Sequence, residues 1–352
     1  MNNTINNSRE EYMDIAKALG IILVVMGHAQ SVGHNMIYLF HMPLFFFISG
    51  YFYKDIYSEK PNLLIKKRFK NLYIPFIKYE ILFLIFHNLF VKFKFYTNFE
   101  GRIFDMNTLK DFFVSLTKIL TFNGTELLVI PLWFLPSLFL TTVLFCFISA
   151  ICIEESEVIR AGVILLLGII GIKIPIIIDQ YIFCRQVINT ALVALIFYYL
   201  GYLYSRFREK IKLNVIVAIA AFIFLLISRK YFNVFLDIRN MFFNPILLIP
   251  DSLCGIYVVI YISKIVSNIN INLRGLNYIG RNTIPILAWH MLIFKIIDII
   301  QIKMYKIPIE RLGELAPINS SGIWWIIFSI AGVLIPTSIC YVIYDSGKLL
   351  KK

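Results

Sequence analysis

Charge is scarce in this chain: of 352 residues only 16% are Asp, Glu, Lys or Arg, while 59% are hydrophobic. A water-soluble domain of that length carries far more polar surface, so the shortage excludes an ordinary soluble fold. Cysteine is sparse too. Cys146, Cys152, Cys184, Cys254 and Cys340 are scattered in or beside apolar runs without metal-like spacing, and they read as packing residues. Neither a Gly-rich phosphate loop nor a zinc-type pattern occurs, which leaves phosphoryl transfer and metal-dependent hydrolysis without support, and no metal cofactor is expected. No internal repeat, low-complexity segment or soluble second domain is visible, so residues 1–352 are expected to form one membrane domain. The first apolar run lacks an A-x-A-like cleavage site and leads into a second run, as an uncleaved anchor would.

What the chain does have is apolar length. A bilayer core takes about 20 apolar residues per helix. Runs near that length lie at about 13–32, 36–53, 73–92, 131–152, 159–178, 187–204, 213–229, 243–265, 283–300 and 323–344. The expected fold class is therefore an all-α polytopic membrane protein with about ten transmembrane helices. The shorter runs at 36–53 and 187–204 make the weakest crossings. Abundant Ile, Lys, Asn and Phe suggests an AT-rich bacterial genome and hence a bacterial inner or plasma membrane.

The net charge of +13 does not point to nucleic acid, because Lys and Arg sit in short clusters between apolar runs, as cytoplasmic loops do. The segments 54–71 and 206–212 and a tail at about 346–352 are basic. With a short N-terminus at 1–12 inside, both termini are expected in the cytoplasm. The longest loop, about 93–130, is then external. Within it Leu109, Phe112, Phe113, Leu116 and Ile119 recur at helical spacing, which predicts an amphipathic helix at the outer interface.

The first run, "YMDIAKALGIILVVMGHAQ", carries three ionisable groups. Asp14, Lys17, Ile21, Val24 and His28 are three or four residues apart and share one helical stripe. Lys17 and His28 are separated by about 16 Å along the axis. The plain reading is a snorkelling Lys, an Asp favoured by the helix dipole and a satisfied buried His. Against it, ionisable groups inside a membrane are costly and usually functional, and imidazole suits general-base work near neutral pH. The next segment, "YLFHMPLFFFISGYFYK", starts a helix at His41 just before Pro43 and runs to Ser49 and Gly50, a small pair that admits another chain or a ligand. After it, Lys66, Lys67, Arg68 and Lys70 serve either positive-inside topology or the phosphates of a cytosolic cofactor.

These pieces in this order resemble the membrane acyltransferase family 3, and within it the members that O-acetylate cell-surface sugars, including the fucose 4-O-acetylase-like group. The resemblance is carried by "DIAKALGIILVVMGH", "FHMPLFFFISG", "RFKNLYIPF", "PLWFLPSLFL" and "LNYIGRNTIPILAWHMLIF", and its landmarks run from residue 9 to about 294. It implies about ten helices, acetyl-CoA or another acyl-CoA as cytosolic donor, and a sugar hydroxyl of a polysaccharide or lipid-linked precursor as acceptor. Mapped residue by residue, it makes His28 the essential group. Lys17 stands where many members have Arg, and a point charge replaces a bidentate fork. Donor phosphates are expected at Lys17, Lys67, Arg68 and Lys70. Asp14 would orient Lys17, and His28 would act as base or as a transient acyl carrier. His41, Ser49, Gly50, Trp133, Asn282 and His290 are the candidates for lining the cavity, with backbone N–H groups near Ser49-Gly50, or Asn282 or Trp133, as the oxyanion donors. Membrane lipid, acyl-CoA and a glycan are the expected partners. A glycan polymerase or ligase and a transporter are the alternatives; acyl-CoA dependence separates the first, and paired broken helices, not seen here, would favour the second.

Overall fold

A computed structural model describes residues 2–96, 106, 108–152, 156–177, 185–232, 245–269 and 272–345. Every regular element among them is helical, and none is a strand. The chain opens with α1 (Asn2–His28), α2 (His34–Tyr38), α3 (His41–Tyr51), α4 (Ile56–Glu59) and α5 (Pro61–Arg68). It continues with α6 (Ile74–Ile85), α7 (His87–Lys92), α8 (Leu109–Leu120), α9 (Phe134–Ile151), α10 (Glu157–Ile177) and α11 (Arg185–Phe207). The remainder is α12 (Val215–Phe232), α13 (Pro245–Asn268), α14 (Arg274–Arg281), α15 (Thr283–Tyr305) and α16 (Trp324–Cys340).

Among the described residues, five stretches are long and apolar enough to cross a bilayer: Leu127–Ile151, Gln186–Phe207, Ile246–Asn268, Thr283–Tyr305 and Trp324–Ile343. Only helices or closed barrels satisfy their own backbone in hydrocarbon, which is why the apolar runs take this form. Their outward surfaces are apolar as well: Ile326, Ile330, Leu334 and Ile339 on α16 are exposed, the reverse of a soluble helix and suited to lipid. The same holds on α12, where Val215, Ile216, Ile219, Phe222 and Ile223 are exposed.

The two runs read as the weakest crossings have different outcomes. The run at 36–53 divides into α2 and the 11-residue α3, only about 16 Å long against a hydrocarbon core of about 30 Å. The tyrosine-rich run at 187–204, expected to be weak, lies inside one of the five long apolar stretches. Helix α1 also begins at Asn2, so the segment expected as a short N-terminal tail is helical. The amphipathic helix expected near 109–119 is α8, with a reciprocal cap between Thr108 and Asp111. The tail at 346–352 and Cys184 lie outside the described residues.

The packing forms two compact units. Unit 1 comprises Met1–Gly20, Asn35–Ile74 and Phe134–Ile271. Its centre is the crossing of α3 with α11. A Cβ on Gly50 would collide with the carbonyl oxygen of Tyr198, and one on Gly201 with that of Phe47, so the two helices touch backbone to backbone. Gly20 lets α1 meet Phe45 and Leu44 of α3 in the same unit. Between α5 and α6, Phe69–Tyr73 forms a π turn in which the Ile74 N–H bonds the Phe69 carbonyl, just ahead of Pro75.

Unit 2 comprises Ile21–His34, Pro75–Trp133 and Asn272–Lys352. There α15 packs on α16 and on the 3₁₀ segment Leu127–Trp133. The side chains of Tyr79 and Phe83 on α6 pack edge-on or tilted against Trp289 of α15.

Candidate active site

The end of α1 brings His28 to α15, where it meets His290. Nδ1 of His28 lies 2.7 Å from Nε2 of His290, and the rings are parallel with centroids 5.0 Å apart. Nδ1 of His290 is 3.0 Å from the carbonyl of Ile286, one turn earlier in the same helix. A carbonyl only accepts, so this nitrogen of His290 carries a hydrogen and, in the neutral ring, Nε2 is the acceptor. His28 must then donate through Nδ1, which makes its Nε2 the basic nitrogen. His290 is fully buried, whereas His28 is part-exposed. One imidazole is thus sealed and its partner accessible. The seal comes from Phe294, whose ring meets that of His290 edge-on at 5.6 Å, and from α16. At Gly332 a Cβ would stand 2.8 Å from Val25 and Phe294 atoms and 3.4 Å from the His290 Cβ, so only glycine lets α16 approach this closely.

Other candidates in unit 2 stand apart from this pair. Asn282, at the start of α15, donates its side-chain N–H to the Tyr278 carbonyl at 2.9 Å. It precedes His290 by about 12 Å of helix. Trp133 closes the 3₁₀ segment and is half-buried.

Unit 1 holds the remaining candidates. The Lys17 ammonium is 2.9 Å from Asp14 and 4.4 Å from the centre of the Phe52 ring, a cation–π arrangement. Arg68 donates through Nη2 to Ser49 Oγ at 3.2 Å, while its Nε is buried without a hydrogen-bond partner. Lys67 reaches the Tyr57 hydroxyl at 3.1 Å, and Lys70 is exposed on the π turn. His41 is buried, with Nδ1 donating to the Ile37 carbonyl at 2.9 Å. The Ser49-Gly50 pair, expected to admit another chain or a ligand, is met at Gly50 by the α11 backbone, as described above. The basic loop and the Ser49-Gly50 pair therefore do come together, through Arg68.

Several polar groups had not been singled out from sequence. In unit 2, Glu80 accepts from the Thr125 and Glu126 N–H groups at 3.0 and 3.3 Å. Glu126 in turn accepts from His87 and from the Tyr96 hydroxyl, both at 3.0 Å. On α15, Lys295, Asp298 and Gln301 are buried. Lys295 donates to the Glu314 carbonyl, Asp298 accepts from the Ile318 N–H, and Gln301 exchanges two bonds with Asn319, so the loop after α15 is tied back to the helix. Acidic or basic residues inside apolar runs were the signal that would have found Glu80, Lys295 and Asp298. Among the described residues no group of three His, Cys, Asp or Glu side chains is arranged to hold a metal.

Described residues whose regular elements are all helices, several of bilayer length and apolar, together with an accessible imidazole backed by a buried one, define a membrane protein with a candidate acid–base site. A family model described as an acyltransferase domain, that of acyltransferase family 3, matches residues 10–345, and the chain belongs to this family. No curated protein and no solved structure matches it.

Proposed function

We propose that this protein transfers an acyl group, most simply acetyl, from cytosolic acyl-CoA to a hydroxyl of a cell-surface glycan or its lipid-linked precursor, within a bacterial inner or plasma membrane. The observation that carries the chemistry is the contact between His28 and His290. Nε2 of His28 takes the proton of the acceptor hydroxyl as that oxygen attacks the thioester carbonyl carbon. The C–S bond then breaks, and the proton held on His28 passes to the leaving thiolate. Throughout, His290 accepts from Nδ1 of His28 and stabilises the imidazolium, while Ile286 fixes which of its nitrogens faces His28.

Donor phosphates are assigned to the basic groups of unit 1, Lys17 and Arg68 first, with Lys67 and Lys70 beside them. Asp14 orients Lys17. The ten apolar runs and cytoplasmic termini remain the topology that this reading uses. The deciding experiment is transfer of radiolabel from acetyl-CoA to surface glycan in membranes holding the wild-type protein or an inserted His28→Ala variant. The reading predicts loss of transfer in the variant; undiminished transfer would remove His28 from the chemistry.

A further inference from the structure

Two arginines at the end of α11 have opposite surroundings. Arg206 is neutralised, 3.0 Å from Asp55 and 3.2 Å from Glu157. Arg208 has no acidic partner within ion-pair distance among the described residues. Its Nη1 is 3.3 Å from the Tyr51 hydroxyl and 3.5 Å from the Ser205 carbonyl, and its Nε is buried with no hydrogen-bond partner. A half-buried guanidinium left in that state is costly, and an anion with several acceptor oxygens in its plane would relieve it.

Position supplies the second argument. Tyr51 and Phe52 are consecutive, with rings 5.2 Å apart; the first meets Arg208 and the second lies under the Lys17 ammonium. The Tyr51 hydroxyl also bonds Tyr12, one and a half turns before Lys17 on α1. Lys17 and Arg208 therefore flank one aromatic pair within unit 1. Asp14 offsets the charge of Lys17, and that of Arg208 is left over.

We propose that Arg208, which with Lys17 flanks the Tyr51–Phe52 pair, binds a phosphate of the acyl donor and supplies the planar fork that a lysine at position 17 lacks. This rests on the acyl-CoA reading given above. The same oxygen chemistry is offered by a lipid headgroup, so the test must separate the two sources.

The measurement is equilibrium binding of radiolabelled acetyl-CoA to the full-length protein in vesicles of phosphatidylcholine alone and with added phosphatidylglycerol. Arg208→Gln should weaken binding by about tenfold or more in both vesicles, as loss of a charged hydrogen-bond pair does. Arg208→Lys should fall between that variant and wild type, because it keeps the charge and loses the fork. Unchanged affinity in Arg208→Gln overturns the proposal, as does weakening confined to phosphatidylglycerol vesicles, which identifies a headgroup site. If the wild-type protein itself binds no acetyl-CoA, the donor reading falls and this proposal with it, a result visible without any variant. A parallel measurement needs no substitution: acetyl-CoA should slow phenylglyoxal modification of Arg208 in the wild-type protein and leave that of Arg206 unaltered. Lack of protection at Arg208 is a second route to rejection.

Discussion

Nε2 of His290 receives Nδ1 of His28 at 2.7 Å while the opposite nitrogen of His290 is anchored on the Ile286 carbonyl. A main-chain oxygen thereby dictates the tautomer of a ring on another helix. His28→Ala should reduce acyl transfer by about 10²- to 10⁴-fold, the usual contribution of a general base. His290→Phe keeps the bulk, removes the acceptor and leaves His28 in place. It should lower kcat with little change in KM for acetyl-CoA, whereas a purely structural role would lower the amount of inserted protein. Kinetics normalised to folded protein decide between them.

Lys17→Arg should retain transfer, because the charge over Phe52 and the link to Asp14 survive. Lys17→Ala should raise the KM for acetyl-CoA more than it lowers kcat. Equal loss in both constants would argue that Lys17 acts on the reacting atoms.

The carboxylate of Glu80 is buried and holds two main-chain N–H groups, at Thr125 and Glu126. Glu80→Ala strands those donors at about 1–3 kcal/mol for each one left unsatisfied. Thermal inactivation in detergent should show a lowered midpoint, and proteolysis should open the 124–133 segment first.

Acid sensitivity has a local origin in unit 1. Burial works to raise the Asp55 carboxyl, but the hydrogen bonds from Arg206 and Tyr202 and the charge of Arg206 outweigh it and hold the group below its usual range. A lowered folded value means that the stabilisation is complete above the unfolded pKa and lost as pH falls through the folded one. Both side chains are partly exposed, so the effect is below about 1 kcal/mol. Asp55→Asn should therefore lower stability slightly at neutral pH and narrow the difference from wild type on acidification, read as melting midpoints across that range.

Much of the candidate site was legible because it is periodic. Asp14, Lys17 and His28 reveal their shared stripe within one helix, and spacing alone finds it. The partner of His28 lies 262 positions away, beyond any local pattern; family resemblance pointed to a late histidine without fixing which atoms meet. Helix lengths were harder. An aromatic run reads alike whether it makes an 11-residue α3 or a full crossing. Conversely, the run inside α11 reads as a weak crossing because it is short, yet it belongs to a long apolar helix in which two tyrosine hydroxyls are taken up by carboxylates: Tyr202 bonds Asp55 at 2.8 Å and Tyr199 bonds Glu157 at 3.1 Å. Arg208 escaped notice because a basic residue in a basic loop carries no signal until its neighbours are known.

The backbone contact at Gly50 and Gly201 makes a further difference to how the protein meets its bilayer. A helix as short as α3 has no hydrophobic length to match against the lipid, so its depth follows α11, to which it is joined without intervening side chains. Thicker or thinner membranes should tilt or stretch the long helices while α3 travels with α11 as ballast, keeping Ser49 and Tyr51 at a constant level relative to Tyr198.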